Sequence, residues 1–298
     1  MIEILHQSAS IISTLARGIA PPLRLGLIGA GISQSKSPAL HEAEARAQGI
    51  QCRYDLIDLD ARGIGVAGLA DLLDEAQQNG FSGLNITLPC KQAVIPLLDE
   101  LSPEALAIGA VNTVLFQANR RIGYNTDARG FAKNFCSTLP QVPLDRVLQF
   151  GAGGVGSATA HAILEIGAQQ LTIVDVINER AQLLAKRLAL IFPTKDIRTS
   201  QTPNEALHGA NGIINSTPTG STSSPGSAMP LDLLRPDLWI AEVVYAPLET
   251  ELLRAARNMG CQTVDGASML VFQAARAFEL FTGRTANIER MLSHFSKM

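Results

Sequence analysis

No stretch of this chain approaches the roughly 20 uninterrupted apolar residues of a membrane-spanning helix, so no membrane span is expected. Cysteine is scarce: Cys52, Cys90, Cys136 and Cys261 are scattered without a C-x-x-C pair. Free thiols in a reducing cytoplasm are the simplest account of them. The histidines (His6, His41, His161, His208, His294) are equally dispersed. They form no H-x-x-x-H pair, and none sits beside a cysteine at ligand spacing, so no metal site is expected. Charge is sparse too, with 17% charged residues and a formal net charge of −3. That balance gives no electrostatic reason to expect nucleic acid. Internal repeats and low-complexity tracts are missing; the nearest approach, Ser221 to Ser227 with Thr222, Pro225 and Gly226, reads as a mobile surface loop.

What is present is apolar and ordered. Hydrophobic residues make up 46% of 298, enough for two domains of ordinary size, each with its own core. The first 20 residues are partly apolar (Ile11, Ile12, Leu15) but lack a basic start and carry Glu3 and His6. They read as a short surface helix ending before Pro21-Pro22, not as a secretory leader.

The strongest local pattern runs from Val147 to Asp175. The short apolar run Val147-Leu148-Gln149-Phe150 meets Gly151-Ala152-Gly153-Gly154-Val155-Gly156, a G-x-G-x-x-G turn. Glycines there permit a tight turn and let backbone N–H groups approach a pyrophosphate at a helix start. Val155, Ala158, Ala162, Ile163 and Ile166 then recur at helical spacing. Leu171 to Val174 reads as the next strand. Asp175 closes it about 20 residues past the turn, where a carboxylate can hold both ribose hydroxyls of NAD. Strand, turn, helix, strand and acid in this order predict a dinucleotide site.

Upstream the chain already alternates strands and helices. Strands are expected at Leu23–Ile28, Tyr54–Leu59, Gly83–Leu88 and Ala110–Phe116, with helices at Pro38–Gln48, Ala67–Gln78 and Lys91–Leu98. This implies an α/β/α layer structure with a largely parallel sheet, ending near Asp127. A Rossmann-type doubly wound domain follows. Ser268 can cap a further helix to Phe281, with Gly283 past its end, that returns to the first domain. The expected division is residues 1–127 with 268–298 as a substrate-binding domain and 128–267 as an NAD-binding domain, with the active site in the cleft between them. The turn Gly29-Ala30-Gly31 also follows a strand, but Gln34 occupies the third glycine position and hydroxyl residues follow. It reads as a polar ligand loop.

Polar residues cluster at the predicted strand ends, where open α/β sheets bind ligands. They are Ser35 and Ser37, then Asn85, Thr87 and Lys91, then Asn112, then Asp127. Asn85 and Thr87, two apart in a strand, would face the same side. Hydroxyls and amides with one lysine and one aspartate suit a small polyhydroxylated ligand.

In these segments the chain resembles the shikimate/quinate dehydrogenases. The resemblance is carried by Ser35-x-Ser37-Pro38, Asn85-Ile86-Thr87-x-Pro89-x-Lys91, Gly109-Ala110-Val111-Asn112-Thr113 and Asn125-Thr126-Asp127. It continues through Gly151 to Gly156, Asn215-x-Thr217, Tyr245-x-Pro247 and Met269-Leu270-Val271-x-Gln273, so it spans about Leu25 to Phe281. The resemblance implies an oxidoreductase moving a hydride between a nicotinamide and the ring carbon bearing a secondary hydroxyl. It implies Lys91 and Asp127 as the catalytic pair. Ser35, Ser37, Asn85, Thr87, Asn112, Tyr245 and Gln273 match substrate-binding positions. Gly151, Gly153, Gly154, Val155, Gly156, Asp175, Asn215 and Thr217 match cofactor-binding positions. Lys91 either abstracts the hydroxyl proton or stabilises the developing alkoxide; desolvation and the Asp127 charge act on it in opposite senses.

In members that use NADP, a basic, hydroxyl-bearing segment follows the second strand of the dinucleotide unit. Here it is Asp175-Val176-Ile177-Asn178-Glu179-Arg180, whose leading positions are acidic and aliphatic. Asp175 would repel a 2′-phosphate and accept from a free ribose diol, so NAD is expected over NADP, with Arg180 arguing the other way. Gln34 and Glu242 stand where the family commonly has histidine and aspartate. With the NAD-type segment they point to a broad-specificity or specialised member, leaving shikimate, quinate and an amino analogue open. Two rivals remain: a dehydrogenase of another small hydroxy acid, and a non-catalytic NAD or metabolite sensor that could dispense with Lys91 and Asp127. A cytoplasmic monomer or homodimer with a small-molecule substrate completes the expectation.

Overall fold

A computed structural model describes residues 22–207 and 209–298. The helix expected before Pro21-Pro22 lies outside the described residues. Two six-stranded sheets organise the rest.

The first sheet contains β1 (Leu23–Gly29), β2 (Cys52–Asp58), β3 (Gly83–Ile86), β4 (Glu100–Leu101), β5 (Thr113–Gln117) and β6 (Arg120–Tyr124) in the order β2-β1-β3-β5-β6-β4. Its connections carry α1 (Ser37–Ala47), α2 (Leu69–Gln78), α3 (Cys90–Ala93) and α4 (Pro103–Ile108). A single helix, α5 (Asp127–Thr138), leads to the second sheet. That sheet holds β7 (Arg146–Phe150), β8 (Gln170–Val174), β9 (Asp196–Thr199), β10 (Gly212–Asn215), β11 (Trp239–Glu242) and β12 (Gln262–Val264). Helices α6 (Gly154–Ile166), α7 (Asn178–Ile191), α8 (Pro203–Leu207) and α9 (Glu251–Met259) connect these strands. The chain ends with α10 (Ala267–Thr282) and α11 (Ile288–Phe295).

The second sheet is parallel throughout, in the order β12-β11-β10-β7-β8-β9. Strand order reverses between β7 and β10, the switch point where doubly wound sheets open a crevice at the strands' carboxyl ends. Leu171, Ile173 and Ile214 bury one face with α6 and α7, while Leu148, Ile213 and Ile240 bury the other with α9. Gly212 stands beside Trp239, whose indole ring fills the place a Cβ would take.

In the first sheet, period-two alternation divides the strands between two faces. Ile28, Leu84 and Ile86 pack with α2, whereas Leu25, Leu27 and Tyr54 pack with Ala277 and Phe281 of α10. That helix therefore returns to the first sheet, as the sequence predicts. It starts at Ala267 with Gly266 at the cap position, which places Ser268 within the first turn. The first sheet is mixed, however, because β5 runs antiparallel to β3 and β6 runs antiparallel to β5. The predicted strand Ala110–Phe116 is the first arm of this hairpin, and its connection uses Ala118 and Asn119, both with positive φ. The strand expected over Gly83–Leu88 ends at Ile86, and the helix expected over Lys91–Leu98 divides into α3 and a 3₁₀ turn at Ile95–Leu97.

Candidate active site

The carboxyl ends of β1, β3 and β6, the amino end of β5 and the start of α5 bring most of the predicted polar residues together. Asn125 sets the beginning of α5: its Oδ1 accepts from the Asp127 N–H at 3.0 Å, and its Nδ2 donates to the Ala110 carbonyl at 2.9 Å. Asp127 then opens the helix, where a carboxylate is favoured by the positive end of the helix dipole. The Lys91 Nζ donates to Asp127 Oδ2 at 2.7 Å. Both residues are buried, at 9% and 4% exposure. A charge-assisted hydrogen bond of that length in a water-poor site has a fixed geometry. The backbone fixes it further, because the Lys91 carbonyl accepts from the Val111 N–H at 2.8 Å.

Asn112, next to Val111, extends the network. Its Nδ2 donates to Thr126 Oγ1 at 2.8 Å and to Gln273 Oε1 at 3.4 Å, and its Oδ1 accepts from the Thr126 N–H at 2.8 Å. Gln273 comes from α10. It arrives there because Gly130 on α5 has no side chain, and a Cβ at that position would stand 3.0 Å from the Met269 carbonyl.

Asn85 is held from three sides. Its Oδ1 accepts from the Tyr54 hydroxyl at 2.8 Å, while Nδ2 donates to Thr113 Oγ1 at 3.1 Å and to the Asn112 carbonyl at 3.3 Å. The Tyr54 hydroxyl also meets Ser37, and burial pushes the phenol well above its ordinary value. Ser35 Oγ accepts from the Ser37 N–H at 3.3 Å. Thr87 lies past the end of β3, so it does not share a strand face with Asn85. Its methyl group instead fills the space a Cβ on Gly29 would need. Tyr245 follows β11, half-buried, with its phenol raised by burial. Among the described residues it makes no hydrogen bond to the Lys91–Asp127 group.

The dinucleotide turn forms a second group. Gly151 has φ +98° and donates its N–H to the Val174 carbonyl at 2.8 Å. A Cβ on Gly156 would stand 2.3 Å from the Gly151 oxygen, so the turn closes only with glycine there. A Cβ on Gly153, by contrast, would meet nothing among the described residues within 4 Å. Open space at a turn entering a helix N-terminus fits a pyrophosphate. Asp175 anchors the rim, its two oxygens accepting from the Ala152 N–H at 2.7 Å and the Ile177 N–H at 2.8 Å.

Asn215 sits beside this turn but uses its carboxamide internally. Its Nδ2 donates to both Glu242 oxygens, at 2.9 and 3.0 Å, and its Oδ1 accepts from the Thr217 hydroxyl at 2.7 Å. It thus ties Thr217 to Glu242. Glu242 is 3% exposed and also accepts from Val244 N–H and Thr250 Oγ1. Burial pushes its carboxyl up to about 7 against these three donors.

Three supports go unpredicted by the sequence. Gln149 donates to the Gly151 and Gly156 carbonyls at 2.9 and 2.8 Å, bracing the glycine turn from below. Tyr54 orients Asn85, and the Glu242–Thr250 pair holds the strand ends. For Gln149 the signal is a lone amide inside an apolar strand. Among the described residues no cluster of three His, Cys, Asp or Glu side chains could hold a metal, and no helix is long and apolar enough to cross a membrane.

Residues 27–114 match the family described as shikimate dehydrogenase substrate binding domain, and residues 266–293 the shikimate 5′-dehydrogenase C-terminal domain. A shikimate dehydrogenase (NADP(+)) of Streptomyces avermitilis is 51% identical over 276 residues, covering 92% of this chain and 95% of its own. A quinate/shikimate dehydrogenase (NAD(+)) of Corynebacterium efficiens is 45% identical over 275 residues, covering 91% and 96%. Among solved structures, the quinate dehydrogenase of Corynebacterium glutamicum in complex with NAD superposes with a TM-score of 0.85 at 43% identity. That match covers 93% of this chain and 99% of the other. Agreement of this extent in both sequence and fold places the chain in the shikimate/quinate dehydrogenase family of nicotinamide-dependent oxidoreductases.

Proposed function

We propose that the protein reversibly oxidises the ring hydroxyl of shikimate or quinate to the 3-dehydro compound, with NAD as its preferred cofactor. The observation that carries this reading is the buried 2.7 Å Lys91–Asp127 pair standing at the first turn of the dinucleotide helix α6. Residues 22–127 with 268–298 form the substrate side, and residues 128–267 the cofactor side. Ser35, Ser37, Asn85, Thr87, Asn112, Tyr245 and Gln273 hold the substrate's carboxylate and hydroxyls.

Gly151, Gly153, Gly154, Val155 and Gly156 would hold the pyrophosphate, with Asp175 at the ribose and Thr217, braced by Asn215, nearby. Nicotinamide, when bound, supplies a hydride acceptor. The chain's own residues handle the proton. As the hydride leaves and the carbon–oxygen double bond forms, the hydroxyl proton passes to the lone pair of Lys91 Nζ, leaving an ammonium beside Asp127. Asp127 fixes the amine and balances the positive charge Lys91 carries. Burial of both groups strengthens these interactions relative to water.

The choice of NAD rests on Asp175, since one close relative is named for NADP and another for NAD. Its carboxylate already accepts two backbone N–H groups at the rim of the turn. Two lone pairs remain for a ribose diol, and the charge opposes a phosphate dianion.

The test is absorbance at the reduced-nicotinamide band with shikimate and quinate, each paired with NAD and with NADP. Turnover is expected, strongest with NAD. Lys91→Ala should lower it by roughly 10²–10⁴-fold with dinucleotide binding retained. Silence in all four assays from a protein that binds dinucleotide would refute the proposal.

A further inference from the structure

The glycines of the dinucleotide turn do different work. Gly151 supplies a left-handed backbone, Gly156 admits the Gly151 carbonyl, and Gly153 leaves open space. Gly154 matches none of these. A Cβ built on it would stand 2.7 Å from Lys91 Cβ, 3.1 Å from Cδ and 3.4 Å from Cγ. The missing side chain is occupied by the stem of the lysine.

We propose that Gly154 is a positioning residue for Lys91, its bare backbone being the surface along which the lysine stem is aligned. The proposal rests on Lys91 being the group that handles the proton.

Neither partner can yield easily. Lys91 is clamped at its carbonyl by the Val111 N–H and at its tip by Asp127, both within 2.8 Å. Gly154 is the first residue of α6, between Gly153, whose carbonyl accepts from the Ser157 N–H at 2.8 Å, and the rest of the helix. The atom nearest the added methyl would be Lys91 Cβ, not the mobile end of the side chain. Restoring ordinary van der Waals distance would move the stem by about 1 Å, and a displacement of that size at a reacting group costs on the order of 100-fold in rate. The same contact makes the start of the cofactor helix part of the wall that aims the amine.

The experiment uses the full chain, with NADH fluorescence for the dinucleotide Kd and initial rates for kcat. Gly154→Ala keeps the backbone N–H that would face the pyrophosphate and directs its methyl at the lysine stem, so it is expected to lower kcat by roughly 100-fold while the NADH Kd stays within about threefold. Gly153→Ala, at the open position, is expected to weaken NADH binding. In a Lys91→Gly background, which lacks the whole stem including the contacted Cβ, Gly154→Ala should change kcat by less than about threefold, as expected of coupled residues. A Gly154→Ala protein that loses NADH affinity in step with turnover would overturn the proposal. So would one that slows Lys91→Gly by its full factor. If Gly154→Ala alone fails to fold, the Lys91→Gly/Gly154→Ala double variant should recover NADH binding, and a double variant that stays unfolded refutes the contact. Normal turnover by Lys91→Ala alone would instead remove the lysine from the mechanism, a separate failure.

Discussion

His41 should set the acid limit of this protein's stability. It lies on α1 at 1% exposure, stacked on Tyr54 with ring centroids 5.0 Å apart and flanked by Phe278 and Phe281. Among the described residues its Nδ1 has no hydrogen-bond partner. Burial among aromatic rings pulls the imidazole down to about 3 from an ordinary 6.5. A lowered histidine binds its proton in the unfolded chain first. Its contribution is therefore complete above pH 6.5 and lost as the pH falls toward 3. The slope approaches 1.4 kcal/mol per pH unit, or about 3 kcal/mol by pH 4.5.

His41→Leu removes this titration. At pH 7.5 it trades a stacked pair worth about 1 kcal/mol for relief of an orphaned polar atom costing roughly 1–3 kcal/mol, so its net effect there is small. Urea unfolding of both proteins, followed by circular dichroism between pH 7.5 and 4.5, measures the difference. The variant should gain about 3 kcal/mol on the wild type across that range. A difference that does not change with pH would refute the argument, because it would mean that His41 takes up its proton in the folded protein as readily as in the unfolded chain.

Glu242 should act in the opposite sense. Its folded value of about 7 lies above the ordinary 4.5, so its contribution is complete below pH 4.5 and lost as the pH rises through 7. Glu242→Gln should gain roughly 3 kcal/mol on the wild type over that window, and parallel titrations would disprove it. Asp175→Ala should shift the ratio of kcat/KM for NAD over NADP toward NADP by about tenfold, equivalent to one lost hydrogen bond to a charged group. An unchanged ratio would mean that the carboxylate does not face the ribose. Gly212→Ala would set a methyl 1.8 Å from the Trp239 ring. It should cost about 3 kcal/mol by overpacking, seen as a lowered Tm, and a wild-type Tm would contradict that packing.

The dinucleotide unit was legible because its signals are local: an apolar run, glycines, a 3.6-residue period and an acid follow one another within 30 residues or so. Lys91, Asp127, Asn85 and Asn112 were legible as a set, since each belongs to a short motif at a strand end. Residues whose roles depend on distant partners were not. Gln149 looks like an interruption in a strand until the carbonyls of Gly151 and Gly156 are seen above it. Tyr54 looks like an ordinary strand aromatic, and only the fold brings its hydroxyl to Asn85. The β5–β6 hairpin was hidden for a different reason. Its turn residues are Ala118 and Asn119, and an alanine with φ 49° carries none of the Asn-Gly signal of a tight hairpin. Without that turn, β5 could only be read as another parallel strand.

The return of α10 to the first sheet has a consequence for synthesis on the ribosome. The second sheet is built from one continuous segment, Arg146 to Val264, and can assemble as that segment emerges. The first cannot finish so early. Its face bearing Leu25, Leu27 and Tyr54 is covered by Ala277 and Phe281, and Leu40 on α1 waits for Val271, Ala274 and Phe278. Those strands must therefore hold an uncovered apolar face until Ala277 and Phe281 have been made. Contacts of such long sequence separation slow folding and prolong the exposure of sticky surface. The nascent protein should lean on chaperones through the sheet that emerges well before its covering helix.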